Sequence, residues 1–494
     1  MINILTAKQM RKSDLNAINN NEEISRALMY KAALGVYNSV IWSGKIGIVC
    51  GKGNNGGDGY ALALILKQNG IKSKIIQLLG NPKEDTSAYF YFEECKSKGI
   101  EITEKTDFSD YDILVDCVFG TGFTGNVDSC LEAIFNAYNR SGAYKVSVDI
   151  NSGLNSNSGL GNAVMCSDLT VSIGSYKLGH FLNKARDVIK KHINIDIGIE
   201  PCEVNTYLFE ESDARLSLPS RKSYSYKGTY GTVSIIGGCI EYTGALKLSS
   251  ISMSAVRAGC GISRVAAPKG IAQIIAPYLL DSTLYRLSDS DGAIKYEANE
   301  IDYLIKSSNV ILYGMGTSEN ADAVEIVKHI LREFSGTLIL DAGGLRALSK
   351  ISLDEIRNRA CSLVLTPHIG EMRALYPEYA EPLDALAYAK SVGAIVLLKG
   401  NTTIVTDGST SYLVASGCPS MAKGGSGDVL SGVVAGMCAS MGSDTTLLYT
   451  VASAAYINGV AGEIAQSELC DISACAHDTA LCVGKAITKI KGTK

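Results

Sequence analysis

No stretch of this chain is both long and uniformly apolar. The longest uncharged runs, 429–443 and 446–462, are interrupted by Ser, Thr, Gly and Asn, which suits buried helices and argues against a membrane span. An excess of positive charge is missing too. The 46 Lys and Arg face 50 Asp and Glu, a net charge of −4, so neither nucleic acid nor an anionic membrane is an expected partner. Any phosphate must be held by local backbone and single lysines, and the partner should be a small molecule. The five histidines and 14 cysteines show no H-x-x-x-H and no C-x-x-C spacing, which argues against zinc and against a disulfide framework. Several cysteines (Cys50, Cys117, Cys438) fall inside apparent strands and helices, as reduced small hydrophobes of a cytoplasmic protein do. The opening MINILTAKQMRKSDLNAINN lacks the apolar core and cleavage site of a signal peptide and reads as mature helix. Neither G-x-x-x-x-G-K-[ST] nor G-x-S-x-G occurs, which removes P-loop NTPases and α/β-hydrolases.

Glycine, by contrast, is concentrated where it can carry chemistry. Residues 50–60, CGKGNNGGDGY, join an apolar strand (Lys45 to Cys50) to an apolar helix expected from about Tyr60. Glycines there permit positive φ and close approach of a ligand, and the free N–H groups of a helix start point at negative charge. Phosphate or pyrophosphate is the natural guest. Gly51, Gly53 and Gly56 also satisfy G-x-G-x-x-G, but the next strand, KIIQLLGN (74–81), offers no acidic residue for a dinucleotide ribose. Asn54, Asn55 and Asp58 put more polar side chains into the loop than phosphate binding requires.

Apolar runs at 45–50, 72–79, 111–117, 144–150 and 168–173 alternate with helical segments such as Tyr60 to Gln68 and Leu131 to Asn139, which implies a parallel sheet covered on both faces. Two further helices, about Thr6 to Asn19 and Glu23 to Val40, are expected to pack on that sheet or on a second subunit of a homo-oligomer. The periodicity lapses between Ile199 and Lys227. A second alternation starts at Thr232 and continues through 310–314, 337–341, 362–366, 394–400 and 402–406. The expected fold class is therefore α/β in two domains, 1–210 and 211–494, each a mostly parallel sheet flanked by helices.

In the first half Asp116 closes a strand, GTGFTGN (120–126) follows at once, and Asp149 and Ser152 end another strand. Open α/β sheets bind ligands outside the carboxyl ends of their strands, so Asn55, Asp116, Asp149 and Ser152 are expected on one edge. Oxygen ligands of this kind suit a hard cation, monovalent or magnesium, although each aspartate alone reads equally well as a turn or helix cap. In the second half GGSGDVLSGVVAGM (424–437) sets three glycines ahead of an apolar helix with Asp428 at its start. Backbone N–H groups there can stabilise a transferring phosphoryl group while Asp428 takes a proton from the attacking hydroxyl; the plain alternative is an N-cap. KGNTT (399–403) adds a lysine and hydroxyls for phosphates. Asp341, His368 and Glu371 also fall at strand ends.

Three motifs in order, NNGGDG, DCVFGTG (116–122) and VSVDINSG (146–153), resemble the NAD(P)H-hydrate epimerase family, with a Rossmann-like fold. Four more, KGTYGTVSIIGG (227–238), LTPHIGEM (365–372), LLKGNTTIV (397–405) and GGSGDVLSG (424–432), resemble the NAD(P)H-hydrate dehydratase family, whose fold is ribokinase-like. Together they span nearly the whole chain in the order of the fused bifunctional repair enzymes. The resemblance implies that Asn54, Asn55, Gly56, Gly57 and Asp58, with Gly120, Thr121, Gly122, Phe123, Thr124, Gly125 and Asn126, hold the hydrated dinucleotide. It also implies a potassium site at Asn55, Asp116 and Ser152, and Asp149 as acid/base at the nicotinamide. In the second domain it implies a substrate pocket at Ala245, Gly316 and His368. Adenine-nucleotide contacts would come from Lys399, Gly400, Asn401, Thr402, Thr403 and Gly427, with Asp428 as catalytic base. The implied activity is epimerisation of R and S NADHX and NADPHX, then dehydration of the S form with ADP (or ATP) and magnesium, giving AMP and phosphate.

Three departures from the family pattern stand out. Asn151 replaces the usual proline, which is expected to loosen the turn that aims Asp149 and Ser152. GMGTSE (314–319) and DAGGL (341–345) replace more usual sequences and are expected to alter nucleotide geometry and metal affinity. Since fold does not fix substrate, the alternative is a vitamin or small-molecule kinase behind a non-catalytic nucleotide-binding or scaffold module.

Overall fold

Alternate residues of a strand face opposite sides of its sheet, and two central strands of the first half bury both sides. Ile46, Ile48 and Cys50, with Ile113, Val115 and Cys117, join one core shared with helices Glu22–Ser39 and Asn54–Gln68. Val49 and Leu114 join another, shared with helix Ser129–Arg140. This double coverage is why the strands read as unbroken apolar runs. The computed structural model describes residues 1–250, 257–440, 442 and 445–492. It divides after Thr206 into a first unit, Asn3–Thr206, and a second, Tyr207–Lys494 with Met1–Ile2.

In the first unit seven parallel strands run in the order Glu101–Thr103, Ser73–Gln77, Ile46–Cys50, Ile113–Cys117, Tyr144–Val148, Leu169–Ile173, His192–Ile195. From Ile46–Cys50 the chain steps twice to one side, then returns to Ile113–Cys117 on the other. The crevice beyond Cys50 and Cys117 is thus the point of order reversal, where such sheets take ligands. A short pairing outside this sheet sets Leu5 opposite Lys177, and Thr6 then caps helix Ala7–Ile18.

The NNGGDG segment is not a loop before a helix at Tyr60. It forms the opening turns of helix Asn54–Gln68. None of Gly51, Gly53, Gly56, Gly57 and Gly59 has positive φ. A Cβ on Gly56 would lie 2.0 Å from the Gly51 carbonyl oxygen, and one on Gly59 would lie 2.7 Å from Cys50 Sγ. Close packing of helix on strand, not backbone freedom, requires glycine here.

The second unit repeats the plan. Parallel strands Ser282–Leu287, Ile262–Pro268, Thr232–Ile236, Val310–Tyr313, Thr337–Leu340, Ser362–Leu365 and Ile395–Leu398 lie side by side, followed by antiparallel Thr403–Thr406 and Ser411–Val414. Residues 429–440 and 447–462 of the uncharged runs fall in helices Ser426–Ser440 and Leu447–Leu469, whose residues are largely buried in one apolar core; 441 and 443 lie outside the described residues. Among the described residues no helix is long and apolar enough to cross a membrane. Gly314, Asp341, Thr366 and Lys399 follow the carboxyl ends of four neighbouring strands.

Candidate active sites

At the order reversal of the first sheet lies a cavity of about 580 Å³. Asn54, Asn55, Asp58, Gly120, Thr121, Gly122, Phe123, Thr124 and Asp149 line it; Gly56 and Gly57 are buried behind, in the helix, and Gly125, Asn126, Asp116 and Ser152 lie outside its lining. Asp149 has φ +67°, a left-handed conformation that costs a non-glycine residue about 1–3 kcal/mol and has to be held by its surroundings. Here its N–H donates to the Val171 carbonyl (2.8 Å), and its Oδ2 accepts from the Thr121 N–H (3.0 Å) and Oγ1 (3.1 Å). Its Oδ1 takes a short hydrogen bond from Lys177 Nζ, a side chain with no exposure at all.

Lys177 is placed in turn by His180. The Lys177 N–H donates to His180 Nδ1 (3.0 Å), which leaves Nε2–H to donate to the Asp149 carbonyl (2.8 Å). Burial and the Lys177 ammonium push His180 down to about 3, so the imidazole is neutral. Burial works to raise the Asp149 carboxyl, but Lys177 and the Thr121 N–H together hold it below its ordinary value. Sequence reasoning missed Lys177 and His180. The segment SYKLGH has no glycine turn or ligand spacing to mark it, and only the fold brings it to Asp149.

Behind the cavity, Asp116 accepts from the Ser152 N–H (2.8 Å), Ser152 Oγ, Ser147 Oγ (3.0 Å) and the Val118 N–H (3.2 Å). Asn55 Nδ2 donates to the Phe119 carbonyl (2.8 Å), and Asn55 Oδ1 is left buried with no partner. An orphaned carbonyl oxygen is costly, and with Asp116 and Ser152 nearby it fits a hard monovalent cation.

Asn151 does not loosen its turn. It is fully buried; its Nδ2 donates to the Met165 carbonyl (2.7 Å) and Ser167 Oγ (3.0 Å), and its Oδ1 accepts from Thr170 Oγ1 (2.6 Å). Side-chain hydrogen bonds do the work that a proline ring does by fixing φ.

In the second unit Asp428 lies in the first turn of helix Ser426–Ser440. Burial and the carboxylates of Asp341 and Glu371 raise it to about 7, with Lys399 pulling the other way. Lys399 Nζ donates to Asp341 Oδ1 (2.8 Å) and lies 3.7 Å from Glu371 Oε2. Burial works to lower the Lys399 ammonium, but these two carboxylates keep it above its ordinary value. Ser431 Oγ donates to Asp341 Oδ2, and Ser426 Oγ is buried without a partner. A Cβ on Gly427 would stand 3.3 Å from Lys399 Nζ, so the glycine turn closes directly onto this cluster. Gly400 and Asn401 are exposed in the turn after Lys399, Thr402 is buried, and Thr403 begins the next strand.

His368 caps helix Ile369–Leu375, its Nδ1 accepting from the Gly370 N–H (2.9 Å) and the Glu371 N–H (3.3 Å). Gly316, at φ +64°, has room for no side chain: a Cβ would sit 2.7 Å from the Tyr242 carbonyl oxygen and 3.2 Å from Ala245 Cβ, so these two pocket candidates face each other. The remaining departures are one. A Cβ on Gly343 would fall 2.2 Å from Thr317 Oγ1, so the threonine of GMGTSE occupies the space that a side chain in DAGGL would need.

Residues 233–479 match the family described as NAD(P)H-hydrate dehydratase, and residues 25–179 match that described as YjeF-related protein N-terminus. The bifunctional NAD(P)H-hydrate repair enzyme Nnr of Archaeoglobus fulgidus is 33% identical over 88% of this chain and 89% of its own length. The chain belongs to the bifunctional NAD(P)H-hydrate repair enzyme family. The family member of Moorella thermoacetica is 31% identical over 93% of this chain and 92% of its own. Among solved structures, the ADP/ATP-dependent NAD(P)H-hydrate dehydratase of Bacillus subtilis, co-crystallised with ATP and Mg2+, is 26% identical with a TM-score of 0.49, covering 57% of this chain and 98% of its own.

Proposed function

We propose that this member of the repair family acts on hydrated nicotinamide nucleotides at two sites. The first unit interconverts the R and S forms of NADHX and NADPHX. The second dehydrates the S form with ADP, or ATP in its place, releasing AMP and phosphate when ADP is used. The observation that carries this reading is that each set of motifs closes on its own acid–base group, Asp149 beside Lys177 in the first unit and Asp428 near neutrality in the second. A general base works best with a pKa near the operating pH.

In the second site Asp428 takes the proton of the hydrate's hydroxyl as that oxygen attacks the terminal phosphoryl group. Lys399, the first-turn N–H groups and the Ser426 hydroxyl face the charge that develops. Loss of phosphate and of a proton from the neighbouring carbon restores the dihydronicotinamide. Magnesium would be carried on the nucleotide's phosphates, where it would neutralise their charge and need only one or two carboxylates from the protein; among the described residues no group of three or more His, Cys, Asp or Glu could hold a metal alone. Asn55, Asp116 and Ser152 would hold potassium, which supplies fixed positive charge for an anionic ligand. All 14 cysteines are free thiols, in keeping with a reducing cytoplasm.

The test is recovery of dihydronicotinamide absorbance from mixed R and S NADH hydrates with ADP, magnesium and potassium. Recovery of both epimers is the expected result. Recovery of the S fraction alone would leave the first unit a binding module, and a stable phosphorylated product would make the second unit a small-molecule kinase.

A further inference from the structure

Helix Ala7–Ile18 belongs to no motif, yet it is built into the first site. The register that sets Leu5 opposite Lys177 fixes where the helix begins. Thr6 and Gln9 close a capping box, and the Ala7 N–H donates to Asn157 Oδ1 (2.8 Å). Ser13 Oγ accepts from the Cys202 N–H (2.9 Å), and Gln9 Nε2 donates to the Glu203 carbonyl (2.7 Å), tying down the far side. Met10 and Asp14, one turn apart, therefore share a face, and both line the cavity of about 580 Å³. Among the described residues no hydrogen bond or ion pair engages the partly buried Asp14 carboxyl. A carboxyl so firmly placed and left without a partner is available to a ligand.

Resting on the proposed epimerisation, we propose that Asp14 is a second acid–base residue of the first site, carrying the proton that the hydrate's hydroxyl needs in order to leave. Hydration of a dihydronicotinamide puts that hydroxyl on a ring carbon bonded to nitrogen. Asp14 protonates the hydroxyl, the C–O bond breaks with its electron pair on the departing water, and the nitrogen lone pair forms C=N⁺. Water then adds to the opposite face, a new C–O bond forms, the C=N pair returns to nitrogen, and the extra proton passes to the Asp149 carboxylate. Exchange with solvent returns Asp149 to carboxylate and Asp14 to acid. No co-reactant is required.

The charges around Asp14 suit this division of labour. The Asp149 and Asp58 carboxyls and the Lys177 ammonium share the cavity with it, and Lys52 stands at its edge. Burial and the Asp149 carboxylate raise Asp14 to about 6 against the pull of Lys177, whereas Asp149 itself is held low. Two carboxyls driven apart in this way are an acid and a base in one pocket.

The experiment measures conversion of pure R hydrate to S by the full chain as a function of pH, for wild type, Asp14→Asn and Asp14→Glu, with NADPH affinity measured in parallel. Wild-type turnover is expected to fall as pH rises past about 6. Asp14→Asn is expected to lose about 10²–10⁴-fold in kcat and the pH dependence with it, at little change in NADPH affinity, and Asp14→Glu to restore both in part. Should Asp14→Asn fail to fold, carbon NMR of the wild-type carboxyl decides: titration near 6 supports the assignment, and titration in the ordinary carboxylate range overturns it. Unchanged rate in Asp14→Asn, or a loss that leaves the pH profile in place, overturns it as well. Absence of wild-type epimerisation would defeat the epimerase reading itself, and is told apart from these outcomes by the wild-type control.

Discussion

Asp428 faces two further carboxylates, Asp341 and Glu371, against one ammonium, Lys399, and burial with that excess of negative charge lifts it to about 7. A base acts unprotonated, so dehydration is expected to rise with pH through about 7 and then level off. Glu371→Gln removes one neighbouring charge while keeping an acceptor for the His368 N–H (2.9 Å), so the rising limb should move to lower pH. Asp428→Asn should lose about 10²–10⁴-fold at every pH. Rate profiles of kcat check both, and a limb unmoved in Glu371→Gln would mean that the titrating base is another group. At this scale the sequence marks Asp428 through its glycine turn and Asp149 through its strand end. It says nothing of Lys177, His180 or Asp14, because their roles come from strand pairing and helix placement across more than a hundred residues of chain.

Strands and helices were legible wherever burial on two faces leaves an unbroken apolar run, as in Ile46–Cys50 and Ile113–Cys117. The start of Asn54–Gln68 was not, because glycines chosen for close packing look the same in sequence as glycines chosen for positive φ. Asn151 misled in a similar way, since its hydrogen bonds reach Met165, Ser167 and Thr170 well down the chain. Asn151→Ala takes a partner from the Met165 carbonyl and from the Ser167 and Thr170 hydroxyls, which then keep each other (2.7 Å), and a buried group left unpaired costs about 1–3 kcal/mol. Denaturant unfolding of the first unit should shift accordingly, and epimerisation should fall with it, since the same turn carries Asp149. A midpoint within error of wild type would mean that these hydrogen bonds do not hold the turn. In the second unit Gly343→Ala drives a methyl to within 2.2 Å of Thr317 Oγ1. It should destabilise by about 1–3 kcal/mol, and Thr317→Ala in the same chain should recover part of that loss, a coupling that a double-mutant cycle reads directly.

For the molecule as a whole, the decisive arrangement is that each acid–base group draws its environment from its own unit. The core around the first sheet is assembled from residues between Leu5 and Ile199, and that of the second from residues between Phe209 and Ile490. The charge that holds Asp149 low comes from Lys177, which the neutral His180 places, and those that tune Asp428 come from Asp341, Glu371 and Lys399. Loss of one chemistry should therefore leave the other intact. Asp149→Asn should recover only the S fraction of a mixed hydrate with ADP, while Asp428→Ala should bring R and S to equilibrium and recover nothing. Mixing the two variants then asks whether the hydrate must stay on one chain. If the S form leaves the first site into solution before it reaches the second, the mixture recovers both epimers completely, one chain supplying the epimerisation and the other the dehydration. A mixture that stops at the S fraction, with free R hydrate left unconverted by the Asp428→Ala chain alone, would show that the first site does not release the S form into solution.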